Sequence, residues 1–268
     1  MLGGRITAIV AVALGCVGAS ACTAAEPEPA ALSIGVAIAP SLAGAFTEII
    51  GIFEEGNPGV RVHLELGRSR AIAEGLADRT DINVFASAGE GAMEFAVARG
   101  TATDPRVFAH NHVVVAVPSG NPREVTGLAD LSRPGLRVGL CALDVPCGQA
   151  ADVLLAAAGV TPHQVDRDPG SRALASRLAA NELDVGIVYR TDVASSHGWV
   201  TQADVDERDR ELIRASGTTR YVLARVPGGE DGPDAGAERA AADEFRQLVT
   251  SDRGRRALEN AGLDALPA

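Results

Sequence analysis

Two periodicities of apolar residues take turns along this chain. Leu32–Ile38 (LSIGVAI) is an apolar run of strand length, and Leu42–Glu55 puts Leu42, Phe46, Ile49, Ile50 and Phe53 on one helical face. Asn57-Pro58-Gly59 breaks that helix, and Val60–Leu66 (VRVHLEL) alternates as a strand should. Ala71–Ala77 then reads as a helix, Ile82–Ala86 as a buried strand and Ala92–Ala98 as a third helix. Strands and helices in alternation predict parallel βαβ units and a doubly wound sheet.

The second half repeats the alternation. Val113–Val117 (VVVAV) is the most apolar strand, and the turn Pro118–Pro122 after it marks a crossover into a second lobe. Strand Leu136–Leu140, helices Gln149–Ala158 and Ser171–Asn181, and strand Val185–Tyr189 build that lobe. The chain then passes the acidic segment Asp204–Glu211, in which Asp204-Val205-Asp206 reads as a solvated face, and returns through Arg220–Arg225 (RYVLAR). A Gly/Pro/Asp loop at Pro227–Gly236 and helices Glu238–Thr250 and Gly254–Asn260 finish the chain. The expected division is a leader at 1–21, a tether at 22–31, a first lobe at 32–115, a second lobe at 116–218 and a return to the first at 219–268. The expected class is α/β with two lobes, each a doubly wound, mostly parallel sheet.

The N-terminus sets the address. Arg5 precedes an apolar run from Ile6 to Leu14, too short for a bilayer core that needs ~20 residues. It fits the h-region of a secretory signal. Ala19-Ser20-Ala21 would serve as an A-x-A cleavage site and release a soluble periplasmic or secreted protein. Alternatively Ser20-Ala21-Cys22 forms a lipobox, with Cys22 lipidated and the protein anchored on the outer face of the cell membrane. Thr23–Ala31 (TAAEPEPAA) then reads as a tether.

Composition narrows the partners. The 268 residues are 46% hydrophobic, ample for a core, and carry 24 basic against 35 acidic side chains, every basic one an Arg. With the leader removed only Arg5 is lost among the charges. Such an acidic chain, with 3% aromatics, lacks both the basic footprint and the stacking residues of a nucleic-acid binder.

Of four cysteines, two lie in or beside the leader, leaving Cys141 and Cys147 in the folded part. Outside the cytoplasm they suit a disulfide closing a short loop; two buried free thiols are the alternative. They are too few for a metal site. His110 and His112, two positions apart with no carboxylate partner indicated, read as strand-edge residues. Gly67-Arg68-Ser69-Arg70-Ala71 lacks the final Gly of a nucleophile elbow, and Asp204-Val205-Asp206 lacks the Gly and Glu of a calcium loop. No nucleophile stands beside a base, so no enzyme activity and no cofactor are expected.

Small polar residues do stand where strands give way to helices. Ser41 follows the first strand, Ser69 the second, Val145-Pro146-Cys147-Gly148 leads into the helix from Gln149, and Ser171 opens another. Helix starts carry unpaired N–H groups and the positive end of the dipole, which suits anions. Singly, each serine is more often a helix cap.

These segments resemble the substrate-binding proteins of molybdate ABC importers, which have the type II periplasmic-binding fold. The resemblance rests on Ala37–Glu48 (AIAPSLAGAFTE), Asn83–Ala88 (NVFASA), Phe108–Pro122 (FAHNHVVVAVPSGNP), Leu140–Gly148 (LCALDVPCG), Asn181–Asp192 (NELDVGIVYRTD) and Thr250–Gly262 (TSDRGRRALENAG). It spans nearly the whole mature chain, and VPCG and GIVYRTD are its most specific stretches. It implies molybdate held between the lobes by neutral donors: the hydroxyls of Ser41, Ser69 and Tyr189, and backbone N–H groups at Cys147 and Ser171. It further implies a permease and an ATPase as partners, a monomer, and molybdenum present only as the bound oxyanion, with no cation site. Tungstate, sulfate or an organic anion is the alternative ligand. Three departures bear on the ligand: Arg68 and Arg70 flank Ser69 where the family has small residues, Gly170-Ser171 replaces Asp-Val, and Asn83 and Pro40 stand in place of Asp and Ala. Because successive residues of a helical turn face ~100° apart, Arg68 and Arg70 are expected at the cleft rim.

Overall fold

The computed structural model describes residues 32–227 and 234–267. The leader, Cys22 and the tether lie outside the described residues, as does most of the loop at 227–236. The first half runs β1 (Leu32–Ile38), a 3-10 turn (Pro40–Leu42), α1 (Ala43–Gly56), β2 (Val60–Leu66), α2 (Ser69–Gly75), β3 (Val84–Ala88), α3 (Glu90–Ala98) and β4 (Thr103–Pro118). The second runs β5 (Val138–Cys141), α4 (Pro146–Ala158), β6 (Val165–Asp168), α5 (Ser171–Ala179), β7 (Val185–Tyr189), α6 (Arg190–Ser195), β8 (Val200–Gln202) and α7 (Glu207–Ser216). The chain closes with β9 (Thr218–Arg225), α8 (Ala235–Thr250), α9 (Asp252–Asn260) and β10 (Asp264–Ala265).

The strands form one path, β2-β1-β3-β9-β4-β7-β5-β6, with β8 and β10 also pairing with β4. At each end three strands are parallel: β2, β1 and β3 in one lobe, β6, β5 and β7 in the other. Between them β9 and β4 run antiparallel to their neighbours. Each lobe is therefore a parallel trio closed by antiparallel strands, more mixed than the alternation alone suggested. β4 serves both lobes, and the handover is abrupt: His112 pairs with Thr218 of β9, and Val113 with Tyr189 of β7.

Each lobe has its own core. That of the second lobe is aliphatic and draws on Val113, Val115, Leu140, Leu154, Leu174, Val185 and Ile187. The first lobe has two clusters, one around Ile72, Phe85, Met93 and Val222. Its other cluster is aromatic, with Phe46, Phe53, Phe108, Tyr221 and Phe245 buried together, and Phe53 meeting Phe245 edge to face at 5.3 Å. Such ring pairs add about 0.5–1.5 kcal/mol beyond area burial. Asn83 braces the first lobe. Its side-chain oxygen accepts the Gly35 N–H at 2.8 Å, while its own N–H donates to the Gly35 carbonyl. Gly35 must be glycine there, because a Cβ would lie 1.8 Å from the Asp81 oxygen.

The structure corrects two expectations. β4 starts at Thr103, ten residues before the apolar run; its opening Asp104–Val107 is exposed and shows no apolar run, although Phe108 and Ala109 after it are buried. His112 does have a carboxylate partner, Asp264 at 2.6 Å, supplied by the far C-terminal strand. Asp204 and Asp206 are solvated, as expected, and the Asp206 side chain caps α7 by accepting the Asp209 N–H at 2.8 Å.

Candidate ligand-binding cleft

Ser41, Ser69, Cys147, Ser171 and Tyr189 line a single cavity of about 640 Å³. The turn after β1, the starts of α2, α4 and α5, and the end of β7 meet there, because each follows or ends a strand whose carboxyl end faces the cleft, the place where open α/β sheets gather ligands.

Ser69 is the first residue of α2 and is buried. Its Oγ accepts the backbone N–H of Ala88, the last residue of β3, at 2.9 Å. That bond occupies an acceptor lone pair and fixes the hydroxyl while leaving its proton to be donated into the cleft.

Ser41 is held by a longer chain of bonds. Its Oγ lies 2.6 Å from the Tyr221 hydroxyl, and the Asn111 amide donates to that same hydroxyl at 3.2 Å and to Thr191 Oγ1 at 3.0 Å. The Asn111 amide occupies an acceptor site on the Tyr221 oxygen, so the Tyr221 proton is available to Ser41, an orientation that would leave the Ser41 proton for the cleft. Tyr189 ends β7 with its hydroxyl 2.8 Å from Thr219 Oγ1. Burial drives the acidity of both tyrosines well below that of free phenol, so each stays a neutral O–H donor. Sequence reading missed Tyr221, Asn111 and Thr219. That Tyr221 is one of only two tyrosines was the one available signal.

Cys147 sits in the first turn of α4, behind Pro146, and is bonded to Cys141 with the Cα atoms 5.8 Å apart. The bridge ties the end of β5 to the start of α4, where the first N–H groups lack intrahelical partners. Ser171 opens α5, and its hydroxyl is taken by the carboxylate of Asp192, which also accepts the Tyr189 N–H at 3.3 Å. The Ser171 backbone N–H is then the group that remains for a ligand.

The charges around the cavity are already engaged. Arg70 pairs with Glu74 at 2.7 Å and lies over the Phe95 ring at 3.9 Å. Arg68 and Arg172 each donate to a backbone carbonyl of the other lobe. Asp192 is the buried exception: burial pushes its pKa up, against the opposing pull of the Ser171 hydroxyl, the Tyr189 N–H and the field of Arg172. An ionised Asp192 repels an anion in the cavity and a protonated one does not. Anion affinity should therefore rise as pH falls through that raised pKa, by at most about tenfold per pH unit. Asp192→Asn, which keeps an acceptor for Tyr189, should flatten that dependence in titrations across the range; an unchanged slope would place its origin elsewhere.

Among the described residues no group of three or more His, Cys, Asp or Glu is arranged to hold a metal ion. No described helix is long and apolar enough to cross a membrane.

Residues 34–264 match the family model of the bacterial extracellular solute-binding proteins. The chain belongs to that family. It is 32% identical over 262 residues to the molybdate-binding protein ModA of Mycobacterium tuberculosis, covering 97% of this chain and 95% of the relative. Among solved structures, the periplasmic molybdate-binding protein of Azotobacter vinelandii superposes with a TM-score of 0.71 at 18% identity, over 88% of this chain and 100% of that one. The sulfate-binding protein SubI of Mycobacterium tuberculosis gives 0.70 at 17% identity, over 87% and 86%. These likenesses establish the two-lobed type II fold. In this family member, the cavity between the turn after β1 and the start of α2 on one side and the starts of α4 and α5 on the other is the interlobe cleft.

Proposed function

We propose that this protein captures molybdate outside the cytoplasm and presents it to the permease and ATPase of an ABC importer, as a monomer and without catalysis. The observation that carries the reading is Ser69: a buried hydroxyl that lines the cleft and accepts the Ala88 N–H, which leaves its own proton available to donate. The hydroxyls of Ser41 and Tyr189, which also line the cleft, are held by hydrogen bonds to Tyr221 and Thr219. A site of hydroxyls and helix-start N–H groups suits a fully deprotonated tetrahedral oxyanion, which has acceptors only. The relative that is 32% identical over 97% of the chain, a protein named for molybdate binding, supports the same ligand.

The magnitudes agree. The acidic chain repels a dianion at long range, so affinity must come from local dipoles. Charge-assisted hydrogen bonds contribute about 1.5–3 kcal/mol each. Five of them, less the cost of association and closure, reach about −8 kcal/mol, a micromolar Kd or tighter. We assign Cys22 as the lipid acceptor that holds the protein at the outer membrane face, with cleavage after Ala21 as the soluble alternative. A thermal-shift screen against molybdate, tungstate, sulfate and phosphate tests the ligand. Stabilisation by molybdate and tungstate at micromolar concentration, and none by sulfate or phosphate, is the expected result. Stabilisation by sulfate alone would reassign the ligand, and no shift with any anion would overturn the reading.

A further inference from the structure

Across the mouth of the cleft two arginines reach in opposite directions. Arg68 precedes Ser69 in the first lobe; its guanidinium donates to the Pro169 carbonyl at 3.1 Å and meets Asp144 at 3.4 Å, both in the second lobe. Arg172 follows Ser171 in the second lobe and donates to the Pro40 carbonyl of the first at 3.1 Å. Each arginine thus adjoins a serine of its own lobe and holds the backbone just before a serine of the other, Ser41 or Ser171. We infer that Arg68 and Arg172 form a reciprocal clasp that holds the lobes together over the bound anion and sets how slowly it leaves.

The contacts cross the cleft, so the lobes cannot part without breaking them, and a ligand enclosed between the lobes cannot leave until they part. The acceptors are mainly carbonyls, so each bond is charge-assisted without requiring a second buried charge. The Pro40 carbonyl belongs to the same planar peptide unit as the Ser41 N–H, so the Arg172 bond also fixes the direction of that amide. The side chains of Arg68 and Asp144 are 52% and 70% exposed, so their ion pair contributes little by itself and is screened by salt. Arg68 and Arg172 are assigned as positioning residues, because their guanidinium groups are engaged with backbone carbonyls of the opposite lobe.

The inference rests on the anion-binding reading, and its test separates the two. Arg68→Gln, Arg172→Gln and the double variant are compared with wild type in stopped-flow release of molybdate, at low and high salt. Each single variant should release about threefold to fivefold faster, and the double variant at least tenfold faster. Asp144→Asn, which spares the carbonyl contacts, should change release by less than about twofold. In parallel, small-angle X-ray scattering without molybdate reads the lobes directly: the double variant should have a larger radius of gyration than wild type. If wild type binds no molybdate, the ligand reading fails, and the scattering comparison alone decides the clasp. A double variant as slow in release as wild type, or one with an unchanged radius of gyration, overturns the clasp.

Discussion

Ser69→Ala should lower molybdate affinity by about 1.5–3 kcal/mol, roughly 10- to 150-fold. The hydroxyl acts in two ways. It accepts the Ala88 N–H, which fixes its orientation, and its proton is left to meet the anion. Truncation removes the donor and also leaves the Ala88 N–H without its acceptor beside a buried strand end. Thermal stability should therefore fall as well, by about 1–3 kcal/mol for a buried group left unsatisfied. Calorimetric titration of the variant, with a melting curve of the free protein, reads both losses. A variant that melts lower yet binds with wild-type affinity would show that Ser69 serves the fold and not the ligand.

Gly148→Ala should have the larger effect on stability. Gly148 is the third residue of α4, where intrinsic helix propensity alone favours alanine by about 1 kcal/mol. Sterics reverse that sign. A Cβ at Gly148 would lie 1.9 Å from the Ala142 carbonyl oxygen and 2.9 Å from that of Cys141, both backbone atoms that cannot swing aside. The loop tied by the Cys141–Cys147 bridge must then shift, taking the start of α4 out of the cavity wall. A loss of about 3 kcal/mol or more is expected in urea denaturation, with anion affinity falling in the same variant. Wild-type stability would mean that the turn relaxes more easily than its geometry implies.

What the sequence disclosed follows the range of the forces involved. β1, β2 and β7 are read to the residue, because an apolar run between turn signals is local information. Ser41, Ser69 and Ser171 are found by the same logic, since each stands where a strand period gives way to a helix period. β6, Val165–Asp168, escaped because it is short and charged and owes its place to parallel pairing with β5. α6 escaped because it is six residues long and its start is held by the Asp192 carboxylate accepting the Tyr189 N–H rather than by an apolar face. The partners that orient the site lie far away in sequence: Tyr221 is 180 residues from Ser41, and Pro169 is 101 from Arg68. Such pairs exist only once the two lobes are folded and face each other, and no local pattern encodes them. Arg68 and Arg70 both engage protein partners, but Arg68 stands in extended backbone just before α2, and its reach into the other lobe has no signal in its neighbours.

If neutral donors of the two lobes hold the oxyanion between Ser41, Ser69, Cys147, Ser171 and Tyr189, the metal atom itself should be visible there. Anomalous diffraction at the molybdenum absorption edge, from crystals grown with molybdate, is the decisive experiment. One strong anomalous peak is expected in the cleft, its oxygens within hydrogen-bonding reach of the three hydroxyls and the two backbone N–H groups, with no arginine in contact. A peak seated on Arg68, Arg70 or Arg172, or no peak between the lobes, would contradict the neutral-donor site.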